Sequence, residues 1–353
     1  MSSAYLSQQA LPGFLTKLAN GERRVLAPVR QGKAVVFAPW QEGGEFTLER
    51  ATVPPKAAVL PPCETLLTYK RAKDPNDLGK LTLVLDDKPK AEPTVVFAPR
   101  PCDARGFAVL DRPYLQGPFA DPYYTARRKS LVVITRTCPD FCNTCFCNWV
   151  GSGPADAEGS DILMTDVKGK DGADGFVLEA VTEAGEALLK SLGLEDGASL
   201  LEGAKAQRKA VLDAMPKAPD LSKAHTLIAD KFTDVEFWQK QTAQCLSCGG
   251  CTYFCPTCYC FNITDEGDGL GEKEGRRLRT WDSCMSSHFT REASGHNPRV
   301  SKALRMRNRV SHKFSNYPIV WDGMQSCNGC GRCISQCPVH LDIRAIVLAA
   351  VTA

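Results

Sequence analysis

Long apolar runs are missing from this chain. No stretch approaches the 18 or more consecutive apolar residues of a membrane-spanning helix. The longest candidates, 131–134 and 345–350, suit a buried strand and a helix. The first twenty residues, MSSAYLSQQALPGFLTKLAN, hold no basic segment followed by an apolar one, so no signal peptide is expected. Arg23-Arg24 and Arg127-Arg128 lack the apolar stretch that a twin-arginine signal needs. No G-x-G-x-x-G follows a strand and no G-x-x-x-x-G-K-[ST] occurs, which argues against a Rossmann dinucleotide site and a P-loop. Histidine is scarce: His225, His288, His296, His312 and His340 make no H-E-x-x-H pattern, and none reads as a ligand. No serine or cysteine triad can be assembled. A net charge of +3 is too small to call for nucleic acid.

What remains is an ordinary globular composition with one outlier. At 353 residues, with 43% hydrophobic and 24% charged side chains, the chain has room for about two domains and a sizeable core. Its 17 cysteines are therefore not substitutes for a missing core. A cytoplasmic location is expected, where clustered thiols are more often metal ligands or redox groups than disulfides.

The cysteines fall into clusters at 138–147, 245–260 and 327–337, with Cys63, Cys102 and Cys284 apart. One spacing occurs twice. Cys245, Cys248, Cys251 and Cys255, followed by Pro256, read C-x2-C-x2-C-x3-C-P; Cys327, Cys330, Cys333 and Cys337, followed by Pro338, repeat it. This is the bacterial ferredoxin run that holds [4Fe–4S] clusters. Gly249, Gly250, Gly329 and Gly331 let thiolates converge on one cubane and let backbone N–H groups approach its sulfurs. Proline after the fourth cysteine fits the first turn of a helix. Zinc also takes C-x2-C pairs, but it needs four ligands, not two full runs with a trailing proline. In two-cluster ferredoxins the fourth cysteine of each run serves the other cluster. The expected sets are Cys245, Cys248, Cys251 with Cys337, and Cys327, Cys330, Cys333 with Cys255.

Seven cysteines are left over in dense groups: Cys138, Cys142, Cys145 and Cys147, then Cys258, Cys260 and Cys284. They could hold a third metal centre, or serve as small buried hydrophobes, as free cysteine often does. Cys63 and Cys102 read as structural.

The expected fold class is α+β. A mixed α/β N-terminal domain spans 1–200, a helical connection 201–242, and a ferredoxin-like domain 243–353 with an insert at 256–326. Helical spacing covers 6–18 and 183–191. Strands are expected at 25–28, 34–38, 81–85, 94–98, 131–135 and 176–180, with a turn at Gln31-Gly32-Lys33. Pro216 and Pro219 should break the helical connection, and 343–351 should close the chain as a helix.

Between Arg276 and Lys313 ten Lys or Arg face two acids, Asp282 and Glu292. Three explanations stand: a solvated helix face, charge balance for anionic clusters, or a docking patch for a partner subunit.

Several stretches resemble a known family. CLSCGGCTYFCPTCYCF (245–261), WDSCM (281–285), ASGHNPR (293–299), RMRNRVSHKF (305–314) and CNGCGRCISQCPVHLDI (327–343) are similar to the 4Fe–4S dicluster subunit family. That family includes the A subunit of anaerobic sulfite reductase and the β subunit of cytoplasmic sulfhydrogenase. PPCETLLTY (61–69), RPCDARGFAVLDR (100–112), DPYYTARR (121–128) and CPDFCNTCFCNWVGSGP (138–154) extend the resemblance over nearly the whole chain. It implies an iron–sulfur conduit with two [4Fe–4S] clusters. Such a conduit relays single electrons between a flavin- and NAD(P)H-binding subunit and a catalytic subunit of sulfite reductase, hydrogenase or heterodisulfide reductase type. Direct membrane insertion and nucleic-acid binding are not implied. The rival from another class is a catalytic reductase subunit with its own third centre near Cys142–Cys147.

Overall fold

The structure is a computed structural model that describes residues 2–20, 22–169, 172–267 and 273–352. Ten of its strands lie N-terminal to the two cysteine runs: β1 (Ser3–Ser7), β2 (Arg24–Gln31), β3 (Ala34–Pro39), β4 (Cys63–Asp74), β5 (Asp77–Asp86), β6 (Thr94–Phe97), β7 (Leu131–Arg136), β8 (Ile162–Lys168), β9 (Asp174–Ala180) and β10 (Glu195–Asp196). β11 (Phe261–Gly267) and β12 (Glu274–Trp281) lie between the runs.

Eight strands form one mixed sheet in the order β10-β1-β9-β8-β7-β6-β2-β3. Its centre, β2, β6, β7 and β8, is parallel. Parallel strands are covered on both faces, which explains why 94–97 and 131–134 read as unbroken apolar runs. Side chains alternate across the sheet. Val95, Phe97 and Ile134 pack under the helices Leu11–Ala19 and Glu183–Leu192. Val96 and Val133 pack under the helices Pro101–Leu115 and Pro122–Lys129 through Phe107, Leu110 and Tyr124. Each such side chain stabilises the fold by about 1.5–3 kcal/mol through burial. A third core, around Trp238, Met306, Val310, Phe314, Ile346 and Val347, underlies the two ferredoxin runs.

Most expected elements are present. The turn at Gly32 joins β2 to β3 with φ +58. The helix Glu183–Leu192 is capped by the Thr182 hydroxyl and ends on left-handed Gly193. The helix Leu201–Ala214 stops before Pro216, whose ring would collide with the preceding turn. The expected helix over 6–18 is shorter than its apolar spacing suggested. Residues Ser3–Ser7 are a strand against β9, and the helix starts at Leu11, where Pro12 occupies its first turn.

A second, four-stranded sheet was not foreseen. Its order is β11-β12-β4-β5, and β12 pairs with β4 from Glu274 opposite Lys70 to Thr280 opposite Cys63. The segment between the two cysteine runs is thus hydrogen-bonded into a hairpin from the N-terminal part. Arg279, buried at this junction, pairs with Glu64 and Asp121. Leu81, Leu83, Val84 and Leu85 on the outer strand are exposed.

Candidate iron–sulfur centres

The two ferredoxin runs adopt one backbone conformation twice. Ser247 and Gly329, the residues before the second cysteines, are left-handed at φ +56 and +60. Gly249 and Gly331, after the second cysteines, are left-handed at +75 and +71 and open the short helices Gly250–Tyr253 and Arg332–Ser335. Two left-handed residues bracketing a cysteine curl the chain so that successive thiols face one centre. The two short helices pack on each other, which brings the runs together.

Cys245, Cys248, Cys251 and Cys337 line one cleft, with Cys333, Met285 and Met306 at its wall. Cys255 and Cys327 are buried and Cys333 lies beside both. Burial pushes the Cys327 thiol up to about 12 against the pull of Lys313, and the Cys333 thiol up to about 12 against Arg309. In the metal-free chain both are neutral thiols, so a metal must displace their protons.

The basic stretch supplies the counter-charge. Arg305, Arg309 and Lys313 are 6%, 3% and 2% exposed, one turn apart along Lys302–Ser311 and its wider continuation His312–Asn316. That spacing puts them on one helix face. The Arg305 guanidinium reaches Ser247 Oγ at 3.4 Å, Arg309 donates to the Cys251 carbonyl at 3.3 Å, and Lys313 Nζ donates to Thr257 Oγ1 at 2.8 Å. Among the described residues none of the three pairs with a carboxylate, and the Nε atoms of Arg305 and Arg309 have no acceptor. Burial disfavours the Lys313 ammonium. Negative charge on the facing sulfurs of Cys255, Cys258 and Cys327, once their protons are displaced, outweighs it and raises its pKa. Arg309 is raised in the same way, by Cys251, Cys333, Cys258 and Cys255. Buried cations without carboxylates require another anion. A [4Fe–4S] unit on four thiolates is one, so the residues present fit such a group. Charge balance is therefore the explanation the structure favours for these three. Arg276 and Arg277 are different: they pair with Glu266 and Asp265 on the exposed hairpin.

The seven spare cysteines do not converge on one place. Cys258, Cys260 and Cys284 lie with Cys255. A hydrogen bond from Cys258, aided by Lys313, holds the Cys255 thiol well below its usual range, and a hydrogen bond from Cys284 lowers Cys260. Lys56, buried there over the Trp281 ring at 4.2 Å, donates to the Cys258 carbonyl at 2.9 Å. Cys138, Cys142, Cys145 and Cys147 instead line a separate cavity of about 500 Å³ beyond the end of β7, together with Arg50, Arg100 and Cys330. Cys102, expected to be structural, lines the same cavity, whereas Cys63 is exposed at the start of β4. Arg50 and Lys56 were missed in the sequence because no spacing ties them to a cysteine, and Arg100 because Cys102, two residues on, read as structural.

Residues 244–341 match the family model of a 4Fe–4S dicluster domain. The chain carries a 4Fe–4S dicluster domain. It is also similar, at 28% identity over 347 residues, to sulfhydrogenase 2 subunit beta of Pyrococcus furiosus, covering 96% of this chain and 95% of that one. No solved structure matches the chain. Both comparisons support the dicluster subunit family seen in the sequence motifs. The dicluster domain contains both cysteine runs and the row Arg305, Arg309 and Lys313. Among the described residues no helix is long and apolar enough to cross a membrane.

Proposed function

We propose that the chain is the electron-relay subunit of a cytoplasmic, multisubunit oxidoreductase of sulfhydrogenase type. One [4Fe–4S] cluster sits on Cys245, Cys248, Cys251 and Cys337, and the other on Cys327, Cys330, Cys333 and Cys255. The observation that carries this is the row of buried cations, Arg305, Arg309 and Lys313, which have no carboxylate partner among the described residues; Arg309 faces cysteines of both sets and Lys313 those of the second. Bound clusters supply one-electron redox chemistry. The protein's own part is to exclude water, hold the thiolates and offset their charge. The Gly249 and Gly331 turns aim the thiols, and the buried row favours the more negative, reduced state.

The ferredoxin-like domain at 243–353 carries the two clusters, and the mixed domain at 1–200, joined through 201–242, scaffolds the contact with partner subunits. Those partners are a flavin subunit that oxidises NAD(P)H and a catalytic redox subunit. Sulfhydrogenase 2 subunit beta, alike over 95% of its length, supports a home in a complex of that kind. The isolated, anaerobically purified chain should contain at least about eight iron and eight labile sulfide. It should accept electrons from dithionite and turn over neither hydrogen nor sulfite. Turnover by the chain alone, or stoichiometric zinc in place of iron, would overturn this function.

A further inference from the structure

We propose that Cys138, Cys142, Cys145 and Cys147 hold a third [4Fe–4S] cluster, separate from the dicluster pair and in direct contact with the Cys327–Cys333 loop. This deepens the relay function above and rests on it. Three independent observations carry it.

The first is convergence. β7 ends at Arg136, and the chain turns back on itself at once: the Cys138 amide donates to the Pro154 carbonyl at 2.8 Å and the Cys145 amide to the Cys142 carbonyl at 2.9 Å. Four cysteines within ten residues thereby face one cavity of about 500 Å³. That space suits a cubane better than a single ion. The site lies beyond the C-terminal ends of the parallel strands β6 and β7, where open parallel sheets place their ligands. Cys258, Cys260 and Cys284 take no part in it.

The second is charge. The Arg50 guanidinium donates to Cys142 Sγ at 2.8 Å and to the Cys330 carbonyl. The buried Arg100 guanidinium donates to the Thr137 carbonyl at 3.1 Å and the Leu48 carbonyl at 3.0 Å. Among the described residues neither arginine has a carboxylate partner. Asp103, close by, is taken up by Arg332. Two cations beside four thiols repeat the arrangement of Arg309 and Lys313 in the dicluster domain.

The third is position. The Phe146 amide donates to the Gly329 carbonyl at 2.8 Å, so the two cysteine loops are hydrogen-bonded to each other. A Cβ at Gly329 would lie 2.4 Å from the Phe146 carbonyl, and one at Gly331 would lie 2.3 Å from that of Thr144. The chains touch backbone to backbone, and Arg50 bridges a cysteine of one loop to a cysteine of the other. An electron leaving the reduced cluster on Cys327, Cys330, Cys333 and Cys255 has this centre as its next stop. One cluster loses one electron, the other gains it, and no bond is made or broken.

In the structure Cys142 and Cys145 lie at disulfide-bonding distance, with Cα atoms 5.2 Å apart. A disulfide between them and ligation of a cubane exclude each other. The disulfide would leave the charges of Arg50 and Arg100 without an anion and Cys138 and Cys147 without a shared ligand, which favours the cubane.

The test is iron, labile sulfide and zinc per full-length chain, purified anaerobically, with EPR of the reduced protein. Wild type should hold about twelve iron and twelve sulfide, and the Cys142→Ala/Cys145→Ala variant about eight of each with the spin-coupled dicluster signal retained. Cys102→Ala should keep about twelve. A wild-type content of about eight iron overturns the third cluster and leaves the relay function standing. Two fewer titratable thiols in that sample identify a disulfide, and one zinc lost in the double variant identifies a zinc site. Little iron in any sample overturns the relay function itself. The wild-type count decides the matter even if the double variant does not fold.

Discussion

At the scale of single residues, the site is governed by buried cations that have no carboxylate partner among the described residues. Lys313 is deeply buried, faces Cys255, Cys258 and Cys327, and is held by Thr257 Oγ1 and the Ser326 carbonyl at 3.0 Å. A reduced cluster carries one more negative charge than an oxidised one, so a nearby ammonium favours reduction. Replacing it with an uncharged side chain should make the adjacent cluster harder to reduce. For unit charges about 8 Å apart in an effective dielectric of about 20, the loss is about 2 kcal/mol, or on the order of 50–100 mV. Lys313→Gln, which keeps a donor for Thr257 and Ser326, should therefore shift one reduction potential more negative by that amount in an EPR-monitored titration. An unchanged potential would mean that Lys313 is held for packing alone.

At the scale of elements, the cysteine runs depend on glycines whose roles differ with their surroundings. Gly331 is left-handed and its missing Cβ leaves room for the Thr144 carbonyl, so Gly331→Ala faces both strain and collision. Gly32 is left-handed too, but its missing side chain would meet nothing within 4 Å. Gly32→Ala should cost about 1 kcal/mol. Gly331→Ala should cost about 3 kcal/mol or more, because backbone must move. Urea unfolding of the two variants should show this ordering, and iron content should fall in Gly331→Ala alone. Equal costs would show that the loops around Thr144 and Gly331 are not tightly seated.

At the scale of the whole molecule, the sheet half and the cluster half are locked by buried ion pairs. Arg332 lies between two cluster cysteines in sequence, yet its guanidinium holds Asp103 on the helix Pro101–Leu115 at 2.9 Å and donates to the Ala51 carbonyl at 2.9 Å. Asp103 also accepts from the Arg100 amide at 3.2 Å, capping that helix. Removing one partner of a buried pair leaves the other charge uncompensated, at about 3–5 kcal/mol. Asp103→Asn should destabilise by about that much, and adding Arg332→Met should restore part of the loss. A double variant no more stable than Asp103→Asn would show that the charge left on Arg332 is not the source of the cost.

How much of this was legible in the sequence follows from range. Both ferredoxin runs, their turns and their trailing prolines are local: two left-handed residues around a cysteine curl the chain within a few residues. The central strands were legible because burial on both faces leaves an unbroken apolar signature, and the stop at Pro216 because a proline ring lacks the N–H and crowds the turn before it. The second sheet was not legible. β4, β11 and β12 are largely exposed and polar, and the pairing of β12 with β4 joins residues some 200 positions apart. The spare cysteines show the same division. Their number and spacing were plain in the sequence, but both groups lie at loop ends whose direction is set by packing. Only the tertiary structure separates Cys138, Cys142, Cys145 and Cys147 from Cys258, Cys260 and Cys284, and aims Arg50 and Arg100 at the first group. The sequence determined the chemistry of the thiols; long-range packing decided which of them meet.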